Sequence, residues 1–133
     1  MDLSLALLCE EAHARPDGRF DVRGVFNELS APGFPAVQAR MTLVLVMDWS
    51  ADEAGTQAFR ADLVEHGGKR VLTIEGETEV SPRRIGGPAA QTRLVLPLED
   101  VVFPHAGRYR FELVAGGDVH RACSLFLDER PET

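Results

Sequence analysis

The sequence is poor in the residues that carry most chemistry: it has two cysteines, one tryptophan, one tyrosine and four histidines among 133 residues. Two cysteines cannot build a dense disulfide framework, and the histidines show neither zinc-ligand spacing nor a His-Glu-x-x-His arrangement. No run approaches the roughly 20 apolar residues that a membrane-spanning helix needs. No Gly-x-Gly-x-x-Gly or Gly-x-x-x-x-Gly-Lys-[Ser/Thr] motif is present to cradle a phosphate. Positive charge is also scarce. Fourteen Lys and Arg face twenty-one Asp and Glu, a formal net charge of -7, and this argues against nucleic acid as a partner. The start of the chain has acidic Asp2, no basic segment, and an apolar run Leu3 to Cys9 broken by Glu10 and Glu11; this predicts no secretory signal, a reducing compartment and a cytoplasmic location.

What is present is alternation. In Met41-Thr42-Leu43-Val44-Leu45-Val46-Met47-Asp48-Trp49 the odd positions form one apolar face, the pattern of a strand packed hard on one side. Similar segments are Leu3 to Cys9, Arg19 to Phe26, Ala58 to Val64, Arg70 to Val80, Thr92 to Leu98, Arg108 to Ala115 and Val119 to Leu127, each bounded by Gly, Pro, Asp or Asn. Most connections are too short for a crossover helix, and Gly67-Gly68 and Gly116-Gly117-Asp118 are hairpin turns. The expected fold is all-β: an antiparallel two-sheet β-sandwich of about seven to eight strands in a single domain, 1–133, with a short flexible tail from about 129. Ala51 to Val64 is readable as strand or as a short helix. Pro97 cannot donate to a ladder, so its strand lies at a sheet edge or ends there. Leu125-Phe126-Leu127 is apolar on both faces, which predicts a covered last strand and, through it, a homodimer.

In Phe103-Pro104-His105-Ala106-Gly107-Arg108-Tyr109-Arg110-Phe111-Glu112, followed by a Gly-rich turn and a final apolar strand, the chain resembles the penultimate hairpin of immunoglobulin-like sandwiches. The resemblance implies a tyrosine corner at Tyr109, with its hydroxyl bonded to the backbone of the Glu99 to Ala106 connection. Cys9 and Cys123 depart from the Cys, Trp, Cys order of antibody domains. Over nearly its whole length the chain is also similar to the DUF6941 family of small bacterial proteins. That similarity is carried by the Leu-rich first strand with Cys9, Gly24-Val25-Phe26-Asn27, Pro32-Gly33-Phe34-Pro35-Ala36-Val37, the Leu43 to Met47 strand, and Phe103-Pro104 with Gly107-Arg108-Tyr109. The family resemblance implies no activity.

No residue set indicates a catalytic, cofactor or metal site. His13, His66 and His105 read as loop residues facing water, and His120 as a partly exposed strand residue. Cys9 and Cys123 lie in apolar runs and read as reduced, buried and unbridged. Glu75, Glu77 and Glu79, about 7 Å apart along one strand face, read as a solvated row rather than a cation site. Arg83-Arg84 before Gly86-Gly87 is either a mobile turn or a grip for an acidic partner. Phe34 between prolines is either a cap on the core or a rigid apolar contact. The leading function is a non-enzymatic binding or structural module acting through protein-protein contacts. The alternative is a small loop-based hydrolase or isomerase using loop histidines and carboxylates, favoured if His13, His66 or His105 meets an acid in a pocket.

Overall fold

A computed structural model describes residues 1–131. Nine strands form two sheets: β1 (Asp2–Ala14), β2 (Phe20–Phe26), β3 (Glu28–Ala31), β4 (Ala36–Trp49), β5 (Gly55–Glu65), β6 (Arg70–Val80), β7 (Ala90–Phe103), β8 (Gly107–Ala115) and β9 (Asp118–Glu129). The first sheet has the order β2-β1-β4-β7 and the second β3-β9-β8-β5-β6. Between them lies one core, with Leu8, Leu43, Leu45, Met47 and Trp49 from the first sheet against Leu63, Tyr109, Phe111, Leu113, Leu125 and Leu127 from the second.

The all-β, two-sheet expectation holds, with two corrections. The strands number nine because β3, Glu28–Ala31, was not among the expected strands: it is only four residues long and follows β2 after the single residue Asn27; it runs parallel to β9, pairing Glu28 with Phe126 and Ala31 with Glu129, so the sandwich is not purely antiparallel. Ala51 to Val64 divides into a single 3-10 turn, Ala51–Glu53, and strand β5. Just past β9, the Arg130 N–H donates to the Ala31 carbonyl at 2.9 Å; of the tail expected from about 129, residues 132–133 lie outside the described residues. Pro97 sits in β7, an edge strand, where its missing N–H breaks no second ladder.

The β4 face was expected to be buried on its odd side only, yet Val44 and Val46, which point away from the main core, are 0% and 6% exposed. The long β1–β2 hairpin explains this. Gly24, at φ 68, lets β2 bend where only glycine is unstrained. The hairpin then curls over the outer face of its own sheet, so that a Cβ built on Gly18 at its tip would meet Arg93 Nη1 of β7 at 3.2 Å, although β4 separates β1 from β7. Ala12, Phe20 and Val22 are half-buried while Glu11, Asp21 and Arg23 are exposed, the alternation of a strap with one sheltered side.

Glu53 ties the 3-10 turn to the start of β1. Its carboxylate accepts from the Ser50 N–H at 2.9 Å and the Ser50 hydroxyl at 2.7 Å, and pairs with the Met1 amino group at 2.8 Å. These donors hold its pKa at about 2, below the ordinary 4.5, with the hydrogen bond from the amino group as the first cause. A depressed carboxylate contributes stability that is present above its unfolded pKa and lost as pH falls through the folded one. The Tm difference between the parent and Glu53→Gln is therefore expected to be full at pH 6 and to shrink from about pH 4.5 towards pH 2. Equal differences at both ends in a thermal melt series would contradict the pairing.

Candidate functional site

Both sheets leave a ladder unfinished on the same side of the sandwich. β2 pairs with β1 only from Leu8 to Ala14, so Asp2 to Leu7 have β4 alone as a neighbour. β3 pairs with β9 only from Phe126 to Glu129, so Asp118 to Leu125 have β8 alone as a hydrogen-bonded neighbour, with β1 of the other sheet close by. Along this side runs a cleft of about 880 Å³, lined from the first sheet by Ala6, Leu7 and Val25 and from the second by Arg108, Arg121 and Phe126. Val25 and Phe126 are 61% and 43% exposed. Phe126 lies between buried Leu125 and Leu127, which face the core, and its own side chain turns to the outer face of β9, exposed on the single chain.

Beside the cleft is a hollow of about 560 Å³, and the two share His66, Arg108, Tyr109 and Phe126. His105, Glu65 and Lys69 also line the hollow. Its floor is rigid because Tyr109 forms the corner: the hydroxyl donates to the His105 carbonyl at 2.6 Å and accepts from the His105 N–H at 3.2 Å. The Tyr109 ring is buried and meets Phe103 edge to face at 5.1 Å. Burial is the first cause raising the Tyr109 pKa above 10. The corner needs the chain to reverse just before β8, and Gly107 supplies the turn at φ 124.

Of the residues singled out in the sequence, His66 and His105 come together in the hollow beside Glu65, and the others stay apart. His13 is in β1, on the hairpin rather than in a loop, and meets Glu11 at 3.2 Å on an exposed surface. His66 and His105 are exposed loop residues, as expected. His120 is half-buried, and its Nε2 has no hydrogen-bond partner among the described residues. Glu75, Glu77 and Glu79 are all exposed along β6, and Glu79 accepts from Thr56 Oγ1. The Arg83-Arg84 turn closes through the Gly87 N–H to the Arg84 carbonyl at 3.0 Å, leaving Ile85 fully exposed. Phe34 is half-buried against the core, the capping arrangement. Among the described residues, no three His, Cys, Asp or Glu side chains gather as a metal group. No helix among them is long and apolar enough to cross a membrane.

Cys9 and Cys123 are both free, on different sheets; Cys9 is fully buried, whereas Cys123 is only half-buried, on the wall of the cleft. Desolvation raises both thiols, that of Cys123 to about 12. A thiol so far from ionising is a poor nucleophile. In the native protein at pH 8, both cysteines are expected to alkylate at least about tenfold more slowly than a free thiol. Iodoacetamide labelling followed by intact-mass measurement checks this, and rapid single labelling would show an activated Cys123.

Neither the cleft nor the hollow was visible as a site in the sequence, because Val25, Arg108, Arg121 and Phe126 are each ordinary surface residues of their own strands. Only Phe126 carried a signal, as the outward member of an apolar triplet. Residues 4–128 match the model of a family of unknown function, DUF6941. No curated protein matches the chain.

Proposed function

We propose that this chain, which belongs to the DUF6941 family, is a non-enzymatic protein-binding module whose partner docks on the side cleft. The observation that carries this is the pairing of two exposed apolar side chains, Val25 and Phe126, across a cleft between unfinished sheet edges. Exposed apolar residues grouped on a rigid frame are what a partner buries. The two free thiols fit a cytoplasmic setting for this contact.

The reading includes an immunoglobulin-like frame. β4 beside β7 in one sheet, and β5, β8 and β9 in the other, follow the order of strands B and E and of C, F and G. Tyr109 stands at the start of the F-like strand, and buried Phe111 occupies the position two residues on that a cysteine holds in antibody domains.

A photoreactive benzoylphenylalanine at position 126, in cells of the source organism, tests the module. The expected result is one reproducible protein adduct from position 126, absent from a control at position 77. An adduct with a second copy would identify the partner as the chain itself, the homodimer that Leu125-Phe126-Leu127 predicts. No adduct, or equal labelling from both positions, would overturn the reading.

One observation favours the second reading, a small hydrolase or isomerase: His66, His105 and Glu65 line the same hollow. Turnover of activated esters that is lost in a His66→Ala, His105→Ala variant would support it.

A further inference from the structure

The cleft has a charge that the chain as a whole does not. With a formal net charge of -7, the protein nonetheless lines this one side with Arg108, Arg110, Arg121 and His66 against a single acid, Glu28. Arg110 is neutralised by Glu112 at 3.0 Å. Arg108 and Arg121 have no carboxylate ion-pair partner among the described residues. They stand on neighbouring strands, Arg108 opposite Phe126 and Arg121 opposite Glu112.

Behind these cations runs backbone that has not completed its ladder. β9 accepts β3 along Phe126 to Glu129, in parallel, and the pairing begins only at Phe126 because the chain comes in through Asn27, whose carbonyl accepts from the Phe126 N–H at 2.9 Å. The edge from Asp118 to Leu125 continues the same line without a partner strand. An unfinished edge offers main-chain hydrogen bonds to any extended chain, while the side chains beside it decide which chain is accepted.

We propose that the cleft binds an extended acidic segment of a partner protein, which adds to the free edge of β9. This rests on the module reading above and specifies its partner. Alternate side chains of an extended segment point to opposite sides. On the outer face of the second sheet, which Arg108, Arg121 and Phe126 share, carboxylates meet the two arginines; the apolar side chains on the segment's other side turn to the first sheet, towards Ala6 and Leu7. Edge hydrogen bonds supply sequence-independent affinity, and the unpaired arginines supply the selection for negative charge.

An end-capped octapeptide of alternating glutamate and valine is the probe, titrated into the full chain labelled with nitrogen-15. Amide shift changes are expected to centre on residues 118–126, with affinity falling about tenfold when salt rises from about 50 to about 500 mM. The Arg108→Glu, Arg121→Glu double variant, verified as folded by its unchanged remaining spectrum, is expected to lose at least about tenfold in affinity. The matching lysine-valine peptide is expected not to bind. Equal binding of the lysine peptide, no response at millimolar peptide, or shifts away from β9 would overturn the proposal. So would decanoate binding through the same arginines where the peptide fails, since that result makes the cleft a site for small amphipathic anions. If the peptide fails but the cross-link from position 126 persists, the module reading stands and the acidic-strand partner falls.

Discussion

Replacing Tyr109 with Ala is expected to destabilise the protein by about 3 to 5 kcal/mol, while Tyr109→Phe costs about 0.5 to 1.5 kcal/mol. Two different contributions are separated by the pair. The ring is 3% exposed and packs edge to face on Phe103, so truncation empties a site between the two sheets, near the start of β8, that they cannot collapse around. The hydroxyl makes both its bonds to His105, which is itself exposed, so water can satisfy the orphaned carbonyl and N–H when only the oxygen is removed. That places the Phe variant at the low end of its range. Urea denaturation of both variants checks the ordering. A harmless Tyr109→Phe with a damaging Tyr109→Ala would mean that the ring packs without the corner bond contributing, and two harmless variants would contradict the inward facing of Tyr109.

Trp49→Ala is expected to cost a similar amount, about 3 to 5 kcal/mol, for a second reason as well as the cavity. Its indole N–H donates to Thr92 Oγ1 at 2.8 Å, and Thr92 is hydrogen-bonded at 3.1 Å to Thr78. Thr92 belongs to β7 and Thr78 to β6, so this short chain of polar groups bridges the two sheets inside their apolar contact. Such a chain is costly to break halfway. Thr92→Val leaves the buried indole N–H unpaired and is expected to lose about 1 to 3 kcal/mol, whereas adding Trp49→Phe to it removes the orphan and costs less than the two single changes summed. Melting followed by far-ultraviolet circular dichroism, which does not depend on the lost tryptophan, measures all four proteins. Strict additivity would show that the bridge carries no coupling.

Local pattern made most strands legible. Met41 to Trp49, Arg70 to Val80 and Arg108 to Ala115 each appear where alternation places them, and Tyr109 in phase with Phe111 and Leu113 was enough to find the corner. Pro97 likewise marked an edge strand through a single missing donor. What could not be read was every feature set by which strand stops beside which. β3 has only Leu29 and Ala31 to signal it, over four residues, and exists because β9 offers an edge. The burial of Val44 and Val46 on the outward face depends on a hairpin bending at Gly24, a long-range event with no periodicity of its own. The cleft is of the same kind. It is assembled from the ends of two ladders, and Val25 and Phe126, about a hundred residues apart in sequence, meet only after both sheets have formed.

The most direct test of the binding role compares the proteins recovered with the parent and with Phe126→Glu from the same cells, quantified by mass spectrometry at matched expression. Phe126 is already 43% exposed, so the change is expected to leave Tm nearly unaltered while lowering recovery of the specific partner by about tenfold or more. An identical set of partners with both proteins, at equal Tm, would contradict the assignment of the cleft as the docking site.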